Sequence, residues 1–91
     1  MIKGFRCKKT RRLFEGDRVP AFAGFSRQAD KRLRILNASE TLGALKALPS
    51  NQFEALSGDR AGQYSIRVNG QWRICFTWDE GAFDVEIVDY H

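Results

Sequence analysis

The sequence predicts an α+β fold, with an N-terminal strand and helices packed on one face of a small antiparallel β-sheet. Two observations carry this. Residues 63–68, 71–78 and 82–88 are rich in Val, Ile, Tyr, Phe, Trp and Thr, and turn residues Asn69-Gly70 and Asp79-Glu80-Gly81 separate them, which reads as a meander. Ahead of them, apolar residues recur at helical spacing in two successive segments, and two amphipathic helices need an apolar surface to cover.

Taken in order, residues 2–7 alternate apolar and polar side chains, the period of a short strand. Residues 10–15 form a brief helix, ended by Gly16 and the turn signals up to Pro20. Phe22, Phe25, Ala29, Leu33 and Leu36 then mark one amphipathic helix with Arg27, Lys31 and Arg34 on its far side. Asn37 precedes Glu40 by three positions, a capping-box-like start for a second helix. That helix turns Leu42, Leu45 and Leu48 inward and stops before Pro49.

Register decides which side chains are free for chemistry. A two-residue turn at Asn69-Gly70 would place Arg73 opposite Ile66 and mix the faces. Moving the pairing by one position sets Tyr64, Ile66 and Val68 against Trp72, Ile74, Phe76 and Trp78. Burial fixes register more strongly than turn statistics, so a longer loop or a bulge is expected near Gly70. Trp72, Trp78, Phe53 and Tyr64 are then packing residues, not base-stacking platforms.

The chain of 91 residues is expected to be a single domain, 1–91. No apolar run is long enough for a signal peptide or a membrane span, and Cys7 and Cys75 form no CxxC pair. These features predict a cytoplasmic protein with two free thiols, with no positive support for a disulfide. Residues 1–50 carry twelve Lys/Arg against four Asp/Glu, and residues 51–91 carry three against seven. The basic half points to a polyanionic partner, with Lys8, Lys9, Arg11 and Arg12 as candidate RNA-binding residues. A solvated helical face is the alternative reading of the same run.

The predicted polar face carries Ser65, Arg67, Arg73, Cys75 and Thr77. Arg67 and Arg73 come out as cross-strand neighbours on its exposed side, where like charges repel, so an anion is expected between them. Arg60 can join from the turn at residues 58–62, and forked guanidiniums match phosphate geometry at two points. The alternative is that Glu86 or Asp84 neutralises them. The last strand delivers Asp89, Tyr90 and His91, the only histidine, beside this face. A histidine moves protons near neutrality, a tyrosine hydroxyl donates or orients, and a carboxylate fixes the imidazole tautomer. RNA cleavage needs little more: a base for the 2′-hydroxyl, stabilisation of the pentavalent phosphate, and an acid for the leaving 5′-oxygen. No cofactor is expected, and no cluster with metal-ligand spacing, P-loop or GxGxxG occurs.

Residues 1–5, the segment 56–68 with its Gly58-Asp59-Arg60, the Trp72-Arg73-Ile74 run and the closing Asp89-Tyr90-His91 together resemble the HigB-type toxins of the RelE/ParE superfamily, also called plasmid maintenance system killer proteins. The resemblance covers essentially the whole chain. It implies helices on an antiparallel sheet, cleavage of messenger RNA on translating ribosomes, and growth arrest. It also implies a HigA-type helix-turn-helix antitoxin, which neutralises the toxin and carries the complex to operator DNA. Carried over by position, Arg73 is the phosphate-stabilising arginine, and Asp89, Tyr90 and His91 are the acid–base and orienting end.

One departure from the family pattern stands out. Nuclease members can carry a histidine and a lysine where this chain has Glu54 and Ser57. Either Glu54 replaces the lost proton-transfer group or it is a surface residue and the nuclease is weak. Two rival functions remain open at this stage: a gyrase-directed toxin resembling ParE, and an RNA- or ribosome-binding module that does not cut.

Overall fold

In the computed structural model, which describes residues 1–90, three helices lie on a four-stranded antiparallel sheet. The helices are α1 (Lys8–Phe14), α2 (Ser26–Ala38) and α3 (Leu42–Ala47). The strands β1 (Glu54–Ala55), β2 (Tyr64–Arg67), β3 (Trp72–Trp78) and β4 (Ala82–Asp89) are ordered in the sheet as in the chain. The class predicted from the sequence is therefore the observed one.

The predicted register holds. Tyr64 pairs with Phe76, Ile66 with Ile74 and Arg67 with Arg73. The connection is longer than two residues: Val68 N and Asn69 N both donate to Trp72 O, at 2.9 and 3.2 Å. Asn69 Oδ1 in turn accepts from the backbone N–H groups of Gln71 and Trp72. Burial of one apolar face thus overrides the two-residue turn that Asn-Gly favours.

The core lies between that face and the helices. Ala29, Leu33 and Leu36 of α2 and Leu45 of α3 are fully buried against Ile66, Ile74, Phe76 and Val85. Trp72 stacks on Phe25 with ring centroids 4.7 Å apart, and Phe53 stacks on Tyr64 at 5.5 Å, so these aromatics do pack. Phe76 is wholly buried among Tyr64, Trp78 and the helices. Phe76→Ala is expected to cost about 3–5 kcal/mol, out of the roughly 5–15 kcal/mol that holds a domain folded. Urea unfolding should show the midpoint falling with little change in slope.

Four local expectations are corrected. The N-terminal segment forms no strand of its own; it meets β4 through two isolated parallel bridges, Ile2 to Ala82 and Phe5 to Val85. Its alternation is too short for a ladder, because α1 begins at Lys8, where Thr10 Oγ1 takes over as acceptor for Ile87 N. The helix expected from residue 22 is divided, with a 3₁₀ turn at Pro20–Phe25, led by proline, preceding α2. Thr41, not Asn37, caps α3, accepting from Ala44 N at 3.0 Å. Asn37 stays within α2, where its Oδ1 receives the N–H of Ile2 at 2.9 Å. Finally, α3 ends at Ala47, so Leu48, expected to turn inward from it, lies beyond the helix and is 40% exposed.

Candidate active site

The face of the sheet turned away from the helices is built in rows. Glu54, Ser65, Cys75 and Glu86 align across the four strands, and Arg67, Arg73 and Val88 form the next row. Ser65 and Cys75 are small and fully buried, which leaves room for the neighbouring guanidinium to lie flat over them.

Arg73 does so. It is only 7% exposed, which corrects the expectation that it stands on the solvent side of the sheet. Its Nε donates to Ser65 Oγ at 2.8 Å, and its Nη2 donates to the carbonyls of Gln52 and Ser65. A guanidinium has five N–H groups, so three are committed to neutral oxygens and, among the described residues, the two on Nη1 remain. Nη1 lies 3.9 Å from Glu54 Oε1, beyond hydrogen-bond reach, and Glu54 is half exposed. The ring of Tyr90 flanks the same guanidinium at 5.8 Å. Among the described residues, the buried cation is thereby fixed on three sides and open at one edge.

Arg67 lies directly opposite Arg73, as the register predicted, but the two charges diverge. The Nη2 of Arg67 lies 3.8 Å from the point where a Cβ on Gly70 would stand, so the guanidinium reaches toward the 69–71 turn. The repulsion expected between like charges is relieved by geometry, with one arginine folded inward and the other turned along the strand.

Arg60, from the turn after β1, joins the site through the last strand. Its Nη1 donates to Glu86 Oε1 at 3.0 Å and to Gln63 Oε1 at 2.9 Å. The hydrogen bond to Glu86 holds the Arg60 guanidinium protonated even more firmly than usual. Glu86 thus neutralises Arg60 and not Arg67 or Arg73, while Asp84 accepts from Thr77 Oγ1 at 3.4 Å. Arg60 also separates two clefts. One, of about 270 Å³, includes Glu54, Ser57 and Tyr90 in its lining; the other, of about 320 Å³, includes Arg6, Gln63 and Glu86. Arg6 did not stand out in the sequence, because nothing in its local pattern points across to residue 60.

The residues singled out from the sequence are therefore brought together only in part. Glu54, Arg60, Arg73 and Tyr90 converge. Asp89 does not follow Tyr90: strand alternation puts it level with Trp72, and its Oδ2 accepts from Gln71 Nε2 at 3.0 Å. Lys8, Lys9, Arg11 and Arg12 are exposed on α1, and Arg12 pairs with Asp17 at 3.6 Å. None of the four lines either cleft. His91 lies outside the described residues. A larger cavity, of about 600 Å³ between the end of α1 and the start of α2, holds none of the predicted site residues.

Cys75 sits under this site, and burial pushes its thiol up, against the opposing pull of Arg60 and Arg73. A buried thiol held protonated is a poor nucleophile. A maleimide is therefore expected to label Cys7 alone in the native protein, with Cys75 reacting only after denaturation, as intact-mass measurement would show.

Residues 3–91 match the family model described as the RelE-like toxin HigB of a type II toxin–antitoxin system. The chain belongs to this family. Among its relatives, the protein named Endoribonuclease HigB from Proteus vulgaris is 33% identical over the full length of both chains. Toxin HigB-1 of Vibrio cholerae is 39% identical over 61 residues, a match that spans 67% of this chain and 64% of the Vibrio protein. An uncharacterized protein of Haemophilus influenzae is 31% identical, across 60% of its own length. The arginine-lined face thus belongs to the toxin of a two-component system, and the partner of such a toxin is an antitoxin. No helix among the described residues is long and apolar enough to cross a membrane.

Proposed function

We propose that this single-domain toxin is an endoribonuclease that cleaves messenger RNA as it is translated on the ribosome. The observation that carries the reading is Arg73. A guanidinium immobilised by three acceptors, with one edge open toward Glu54 and Tyr90, suits an oxyanion that develops during reaction. The relative named Endoribonuclease HigB, which matches the whole chain, supports the same reading.

In this mechanism the RNA lies across the cleft with the scissile phosphate at Nη1 of Arg73. Glu54 takes the proton of the 2′-hydroxyl, whose oxygen attacks phosphorus. The bond from phosphorus to the 5′-oxygen breaks, and His91 supplies the proton that the leaving oxygen needs. The products are a 2′,3′-cyclic phosphate and a free 5′-hydroxyl. Tyr90 orients the phosphate, and Asp89, whose Oδ2 accepts from Gln71, has the role of fixing the tautomer of the acid. Arg60, Arg67 and the basic run from Lys8 to Arg12 bind flanking phosphates, here or on the ribosome. In the cytoplasm, the antitoxin is a HigA-type helix-turn-helix protein that restrains the toxin and takes it to operator DNA.

The test compares one message in two states, free and undergoing translation in a reconstituted mixture. Cleavage of the translated copy alone is the expected result. Cleavage of both would remove the ribosome from the account, and cleavage of neither would remove the nuclease.

A further inference from the structure

The acceptor that fixes the Nη2 of Arg73 comes from an unusual place. Gln52 has φ 43° and ψ 55°, the left-handed region, which suits glycine or asparagine and is unfavourable for glutamine. Its side chain is exposed and makes no hydrogen bond among the described residues. What the conformation achieves is a backbone reversal: the 3₁₀ turn Pro49–Asn51 ends there, and the chain leaves toward β1 with the Gln52 carbonyl aimed at Arg73.

The turn behind that carbonyl is held from the opposite layer of the fold. Asn51 is a wholly buried polar side chain with its hydrogen bonds met. Its Nδ2 donates to Leu45 O of α3 at 3.0 Å, and its Oδ1 accepts from Arg32 Nη1 of α2 at 2.9 Å. Arg32 also donates to Ser50 Oγ at 3.2 Å. A continuous run of hydrogen bonds and one strained residue thus joins α2 and α3 to the site arginine.

We infer that the Pro49–Gln52 turn is the positioning device for Arg73, with Gln52 as a positioning residue that acts through its backbone and Asn51 as its anchor. This rests on the proposed role of Arg73 at the scissile phosphate. Without the Gln52 carbonyl, Nη2 keeps only the long contact to Ser65 O at 3.4 Å, and the guanidinium is no longer pinned with Nη1 as its free edge. A misplacement on the order of 1 Å at a reacting group can cost about 100-fold in rate.

The test uses Gln52→Val and Gln52→Gly, measured for single-turnover cleavage of a translated message beside thermal unfolding. Valine, branched at Cβ, resists the left-handed region. Gln52→Val is expected to lower the maximal rate roughly 10- to 100-fold, with half-saturation unchanged and antitoxin binding intact. Glycine accepts the conformation and keeps the carbonyl, so Gln52→Gly should retain the wild-type rate, and its melting temperature should move little because relief of the left-handed strain is offset by the entropy that glycine adds to the unfolded chain. In an Arg73→Ala background, Gln52→Val should cost nothing further. Full activity in folded Gln52→Val, or an equal loss with Arg73 already absent, would overturn the inference. An Arg73→Ala protein that still cleaves normally would instead overturn the function proposed for Arg73.

Discussion

Arg73→Ala is expected to lower the rate of message cleavage by about 10²–10³-fold, the usual consequence of removing one preorganised group that stabilises transition-state charge. The effect should fall on the maximal rate more than on half-saturation, because the roles proposed for Arg60 and Arg67 in holding the strand do not depend on Arg73. A structural cost accompanies it. The substitution leaves Ser65 Oγ and the Gln52 carbonyl without their donor, at about 1–3 kcal/mol for each buried group that finds no water. Melting curves recorded beside the rates separate the two contributions. Arg73→Lys makes the separation sharper: it keeps the charge but cannot satisfy Ser65 and Gln52 while leaving a free edge. Its rate should therefore lie far nearer to alanine than to wild type.

The second large effect is expected at His91. Replacing a general acid or base removes about 10²–10⁴-fold in rate, so His91→Ala should rank with or above Arg73→Ala. The loss should persist at every pH tested, because the proton-transfer group itself is gone. His91→Gln, which keeps hydrogen bonding without proton transfer, should be equally inactive. If His91→Ala retained the wild-type rate, the leaving-group proton would have to come from Tyr90 or from solvent.

Much of this was legible in the sequence because burial leaves a periodic trace. The alternation of Tyr64, Ile66 and Val68 against Trp72, Ile74 and Phe76 was enough to set Arg67 opposite Arg73. The inward lie of Arg73 leaves no such trace, because an arginine in alternating sequence looks like a solvent-facing one. The signal lies in the adjacent row: Ser65 and Cys75 are too small to cover that face, and something larger must. Glu54 was found only through the family pattern, since β1 is two residues long and has no periodicity of its own. Gln52 was invisible, because its contribution is a carbonyl and a backbone angle that no side-chain pattern encodes. Asp89, Tyr90 and His91 read as one unit in the chain, yet strand alternation divides the first two between Gln71 and Arg73.

The two charged regions lie on different sides of the sheet. The basic residues of α1 and the cavity beside α2 lie among the helices, whereas Arg73, Tyr90 and Glu54 cluster on the other face. The Arg32–Asn51–Gln52 connection passes between those layers.

The central claim is tested most directly inside cells, by mapping new 5′ ends on messages a few minutes after expression of the toxin begins. Cuts within translated codons that disappear with Arg73→Ala are the expected result. Growth arrest with every message intact would contradict the account.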